Sequence, residues 1–292
     1  MVRWLQENIA IAQNHYTDVH VQIRKNLGST SFLYQETTPR IGHQLDNLCE
    51  LVKRKKAKIA TISKFVSMKE STRTLLILAS LFICFFLPPI TEFPFTQQET
   101  TLVMRDVFIQ TSAAYLWLSP SIHIVTVILL VATYLYGTRM GRILDAYFGF
   151  LFLFIAFSNH IATTEKYGLV IITGNLIPIF IVSLFWILEV FRPENEYVFR
   201  RLPAWRYWVV PLAVLAFWSP INPDLSPNTS PLMLLTSSFG VMYCPTTPFI
   251  VAILTLLYPK VNTILLKVTS FVGLFIGIFN IMSYFLMPGY TL

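Results

Sequence analysis

The chain has 292 residues, 54% of them hydrophobic and only 13% charged, where soluble domains carry roughly 25% charged residues. That deficit excludes an ordinary soluble globular protein and points to lipid. The formal charge of +7 gathers at the start: residues 1–73 hold 12 Lys/Arg against 6 Asp/Glu, a surplus that beside a membrane means attraction to anionic lipid headgroups rather than to nucleic acid.

The first 70 residues lack an apolar core of signal-peptide type, so a cleavable leader is not expected there. This arm, residues 1–73, has two helical stretches. The second is amphipathic, with Ile59, Ile62, Phe65 and Val66 at helical spacing. Lys53, Arg54, Lys55, Lys56 and Lys58 just before it form the densest charge run in the chain. They suit a lipid- or partner-binding surface, and equally an ordinary positive-inside signal.

Residues 74–292 read as a transmembrane helical domain. A span needs about 20 apolar residues to cross roughly 30 Å of hydrocarbon. Seven segments qualify in varying degree: about 74–91, 119–137, 146–164, 167–188, 207–220, 231–259 and 261–287. The fold class is therefore all-α, a polytopic helical bundle. With the N-terminus inside, the cytoplasmic connections hold Arg139, Arg142, Arg192, Arg200, Arg201, Arg206 and Lys260, with Lys267 nearby. The external connections hold only Arg105 and Lys166. This asymmetry gives an N-in, C-out topology.

The sixth segment is irregular. Between Asp224 and Lys260 lie 35 uncharged residues, too many for one straight helix and few for two. Gly240, Pro245 and Pro248 oppose a continuous helix. The pattern predicts two half-helices, with Thr246 or Thr247 capping the second and Pro248 in its first turn. Broken backbone at membrane depth persists only when buried in protein or facing a water-filled cavity.

Tyr147 and Asn159-His160 in the third span, Phe239-Gly240 with Cys244-Pro245-Thr246-Thr247 in the sixth, and a Gly-containing last span together carry a likeness. From about Ser119 onward the chain resembles an uncharacterised family of six-span prokaryotic membrane proteins. In that family a Phe-Gly-x-x-x-Cys-Pro-Thr-Thr signature precedes a Leu-rich half-helix, and members are sometimes labelled permeases of major-facilitator type. The resemblance implies an architecture, a focal site and a prokaryotic cytoplasmic membrane. It implies no reaction, and residues 1–118 fall outside it.

The break is the foremost candidate site. A half-helix N-terminus offers free N–H groups suited to an anion or a polar solute, so Cys244, Thr246, Thr247, Gly240 and the mid-span amide Asn175 are candidate solute-binding residues. The alternative is a structural kink whose Thr hydroxyls bond back to carbonyls. His123, Asn159 and His160 are candidates for an outer polar vestibule.

A metal is not expected at two histidines without a third ligand. Cys49, Cys84 and Cys244 form no C-x-x-C pair and give neither a disulfide framework nor a thiolate metal site. Glu189 and Asp145 sit at span ends with Arg192 and Arg142 close by. Lys267 lies within snorkelling reach of the interface, and no mid-depth carboxylate accompanies it as a retinal counterion would. Neither a catalytic constellation nor a cofactor motif is present. Two roles remain: a non-enzymatic anchoring subunit that contacts lipid and other membrane subunits, or a permease-like protein for a small polar or anionic solute.

Overall fold

The computed structural model describes residues 69–199, 202–222 and 226–286, with side chains undescribed at 112–113 and 283–286. The basic run Lys53–Lys58 and the amphipathic stretch after it lie outside the described residues. Contacts divide the chain into Met1–Leu75 and Leu76–Leu292, and the account below concerns the second unit.

Helix α1 is Glu70–Cys84, and α2, Thr100–Ala114, follows a short extended segment. Four longer helices come next: α3 (Ser119–Tyr136), α4 (Thr138–Ser158), α5 (Thr173–Phe191) and, at the end, α9 (Thr263–Leu286). Between α5 and α9 lie α6 (Val209–Trp218), the single turn α7 (Met233–Thr236) and α8 (Tyr243–Leu257). Among the described residues, four helical stretches are long and apolar enough to cross a membrane: Leu116–Tyr136, Thr138–Ser158, Thr173–Phe191 and Thr263–Met282. The sequence suggests seven. The shortfall is one of length. The 10 residues of α6 and the 15 of α8 extend about 15 and 22 Å at 1.5 Å per residue. The 15 residues of α1 stop before Pro88-Pro89.

Several boundaries differ from the sequence reading, each for a local reason. Gly137 adopts φ 61° and its N–H donates to the Thr133 carbonyl at 2.8 Å. The chain therefore reverses in one residue, and α4 starts at Thr138 rather than Ala146. Gly141 sits under Tyr197, where a Cβ would lie 2.6 Å from the ring.

At the far end of α4 and α5 the expected helical extensions are strands. Here β1 is Ile90–Thr91, β2 Ile161–Thr164 and β3 Gly168–Ile171, an antiparallel sheet in the order β1-β3-β2. Ile171 faces both Ile90 and Ile161 in the register. β-Branched residues favour extended backbone, and the hairpin pairs its own N–H groups in a connection too short for a loose loop. This sheet is a departure from an all-α fold, though helices dominate.

Helix α2 packs on β2 and closes a small core of Val103, Val107, Tyr167, Val170 and Ile172. The connection 92–118, outside the seven segments, is therefore largely a folded cap. A Lys166–Glu99 ion pair at 2.7 Å ties the hairpin turn to the start of α2.

The main core is aromatic. Helices α4 and α5 form a close pair, α3 lies against α4, and α9 lies against α5 and α8, while α6 packs on α8. Trp186 of α5 meets Phe148 edge-on at 5.3 Å between centroids, and Phe152 stands between Trp186 and Tyr243. Phe82 of α1, with Phe85 and Phe86 just after it, packs on Phe275 and Phe279 of α9. Such pairs contribute about 0.5–1.5 kcal/mol beyond their buried area.

Candidate functional site

The interruption before α8 lies earlier than the sequence implies. The chain is irregular from Ser237 to Met242, and Cys244-Pro245-Thr246-Thr247 forms the first turn and a half of α8. The first half-helix has shrunk to the single turn α7. Proline is tolerated in a first helical turn because its missing N–H would have no partner there. The Cys-Pro-Thr-Thr element thus starts a helix and does not break one.

Thr246 holds the interruption closed. Its hydroxyl accepts a hydrogen bond from the Gly240 N–H at 2.7 Å and donates to the Met242 carbonyl at 2.6 Å. Gly240 has φ 75°, and a Cβ there would lie 2.1 Å from Ile122 Cγ2. Only glycine can turn this chain so close to α3. Asn159, the C-cap of α4, donates its side-chain N–H to the Val241 carbonyl at 2.7 Å. Its Oδ1 is buried without a partner.

His123 joins the same assembly from α3. Its Nδ1 lies 2.8 Å from the Ser119 carbonyl, and its Nε2 lies 3.1 Å from Ser237 Oγ and 3.3 Å from the Phe217 carbonyl. Ser119 Oγ donates to the Ser237 carbonyl. The imidazole is fully buried between Phe217 and Phe239, at centroid distances of 4.7 and 5.2 Å. Two expected vestibule residues, His123 and Asn159, therefore meet at the interruption as buried struts.

The third, His160, lies apart from them. It is buried beside α2, edge-on to Phe108 at 5.8 Å, with Nδ1 3.2 Å from the Ala156 carbonyl. Burial pushes its basicity down to about 4, against the opposing pull of carbonyl oxygens of Ile155 and Ala156. It is a neutral ring at ordinary pH. None of the three lines an open vestibule.

The remaining candidates scatter. Asn175 lies in the first turn of α5, not at mid-span. Cys244 is exposed and accepts a hydrogen bond from Asn280 of α9 at 3.0 Å. Thr247 is buried, on the face of α8 turned to α9, where Gly273 admits its methyl group. Among the described residues no group of three metal-ligating side chains occurs.

The opposite end of the bundle holds a second polar cluster. Asp145 and Glu189 are each 1% exposed. Arg142 and Arg192 stand close to them in sequence, but the groups bonded to them are neutral. Asp145 Oδ1 accepts from the Tyr197 hydroxyl at 2.5 Å and the Asn195 amide at 3.0 Å. Glu189 Oε1 accepts from the backbone N–H groups of Glu194 and Asn195, and its Oε2 accepts from the Asn262 amide at 2.7 Å. Asn195 Oδ1 accepts from the Asn262 N–H, and Asn262 Oδ1 caps α9 by accepting from Ile264 and Leu265.

Burial, and then the Asp145 charge, push the Tyr197 phenol well above its ordinary range, so it stays a donor. An open cavity of about 550 Å³ lies beside the cluster, lined by Arg142, Asp145, Asn195 and Glu196 among others. The signal for this cluster was the polar run Glu194-Asn195-Glu196-Tyr197 between two apolar blocks.

Comparison with known proteins gives no match: no family model fits the chain, and neither a curated sequence nor a solved structure is similar to it.

Proposed function

We propose that this chain is a non-enzymatic integral membrane protein that serves as an anchoring subunit of a membrane assembly. The observation that carries this reading is the state of Thr246. Its hydroxyl is taken up by Gly240 and Met242 within the protein itself, so the polar group best placed to meet a solute acts as a joint. The aromatic packing of Phe148, Phe152, Trp186 and Phe239 in the same core favours a rigid frame over a passage.

The positive-inside bias favours N-in, C-out threading with seven crossings, in which α1, α6 and α8 accompany the four long helices as shorter ones. The resemblance carried by Cys244-Pro245-Thr246-Thr247 favours a prokaryotic cytoplasmic membrane. Anionic headgroups and other membrane subunits are its expected partners.

The test is extraction of the native chain in mild detergent, followed by native-mass analysis and reconstitution. Co-purification with other polypeptides in a stable assembly supports the anchoring role. A chain that leaves the membrane alone and passes small polar or anionic solutes into liposomes would overturn it.

That outcome would favour the permease-like reading, which has one observation behind it. The Tyr243 and Thr247 hydroxyls, one turn apart on α8, have no third group as partner.

A further inference from the structure

The face shared by α8 and α9 carries a groove of about 280 Å³ lined by Tyr243, Cys244, Thr247, Ser270, Gly273 and Gly277, among others. Its two glycines differ. A Cβ on Gly273 would meet Thr247 Cγ2 at 2.7 Å, so that glycine serves the contact between α8 and α9. A Cβ on Gly277 would meet nothing within 4 Å. Nothing among the described residues requires a glycine at 277. Glycine is less favourable in a helix than alanine, and small residues spaced four apart let a second helix approach closely in lipid.

The Tyr243 and Thr247 hydroxyls beneath the groove are buried, and no third group bonds them. One further observation points outward from the same face. One turn beyond Gly277, Asn280 is exposed on a helix long enough to cross the membrane. It gives one N–H to Cys244 Sγ, which leaves a carbonyl oxygen and a second N–H to be met. Acyl chains can meet none of these groups, and an unsatisfied polar group in hydrocarbon is costly.

We infer that this groove is where a second copy of the chain docks, α9 against α9, crossing at Gly277. The amide decides the occupant. Asn280 carries a donor and an acceptor side by side, so a two-fold axis beside it matches each Asn280 with the other copy's, as an isologous interface requires. Two copies threaded alike must cross in parallel. In a right-handed crossing of about 40° the helices diverge away from the glycines. Lys267, ten residues from Gly277 and about 15 Å along the axis, is thereby kept clear of its mate.

The inference does not depend on the anchoring role. A homodimer that moves solute would end that role and leave this interface standing.

The experiment uses the full-length chain in membranes, with Cys49, Cys84 and Cys244 replaced by serine and Leu274→Cys introduced, because Leu274 is exposed on this face. Oxidation should yield a disulfide-linked homodimer, whereas Leu212→Cys on α6 should yield none. Adding Gly277→Leu should abolish the Leu274→Cys cross-link and weaken self-association at least about tenfold, with the melting temperature of the monomer unchanged. Asn280→Leu should weaken it about three- to tenfold, the range of interhelical hydrogen bonds in lipid; should Gly277→Leu fail to fold, this variant decides. A missing cross-link at Leu274→Cys, a cross-link to a different polypeptide, or self-association indifferent to the deciding variant would overturn the proposal.

Discussion

The side-chain amide of Asn159 donates to the carbonyl of Val241 across 2.7 Å, joining the end of α4 to a turn 82 residues later. Val241 is itself fully buried, so this carbonyl has no recourse to water. Asn159→Leu should lower stability by about 1–3 kcal/mol, the cost of a buried acceptor left bare. Thermal unfolding in detergent is the measurement, and an unchanged midpoint would show that another donor replaces the amide.

Gly240→Ala should be among the most damaging single changes in the chain. It combines a left-handed φ with a Cβ placed 2.1 Å from Ile122 Cγ2. Adding Ile122→Ala removes the collision and keeps the backbone penalty of about 1–2 kcal/mol. Partial recovery of folded yield in the double variant is expected. Complete recovery would mean the backbone strain is negligible.

Thr246→Val and Thr247→Val should separate. Thr246 bonds two backbone groups, so its loss should cost about 1–3 kcal/mol. The Thr247 hydroxyl bonds no backbone group, and valine keeps its shape against Gly273, so its loss should cost less than that of Thr246. Paired melting curves decide this, and equal losses would remove Thr246 from its role as the joint.

Acid should weaken the cap through His160. Its pKa is about 4 when folded, against 6.5 ordinarily. An unfolded chain therefore takes up the proton first, so the stability present above pH 6.5 is lost progressively as pH falls toward 4. His160→Phe should flatten that part of the profile of melting temperature against pH. A slope between pH 6.5 and 4 that survives the substitution would assign it to other groups.

Single-cysteine labelling should find positions 60, 140 and 198 reachable from the cytoplasm and positions 97, 165 and 226 from outside. Labelling of 226 from the cytoplasmic side would reverse the threading from the fifth segment onward.

The long helices could be read because their information is one-dimensional. Uncharged, mostly apolar runs such as Ala146–Ser158 or Val268–Met282 announce themselves by length alone. Their ends could not be read so well. Whether Ile161–Thr164 continues α4 or turns into a strand depends on a pairing with Gly168–Ile171 and then with Ile90–Thr91, and hydropathy is silent about pairing. At the interruption the residue types were legible but not their tasks. Gly240, Thr246 and Asn159 could each be noticed as unusual, yet that Thr246 bridges Gly240 and Met242 follows from geometry that no spacing rule contains. Asp145 and Glu189 have Arg142 and Arg192 close by in sequence. Their actual donors are Tyr197, Asn195 and Asn262, brought in by a loop and by the start of the last helix.

That loop bears on how the chain assembles. Helices α4 and α5 are neighbours in sequence and can pair as soon as both are made, but at that stage Glu189 Oε2 and Asn195 Oδ1 still await Asn262. The last helix supplies the missing donors and in the same act gains its own N-terminal cap. Completion of α9 and neutralisation of an exposed polar edge are thus a single event. A chain stopped before Lys260 would present to the membrane's quality-control machinery a half-bonded carboxylate at its basic end.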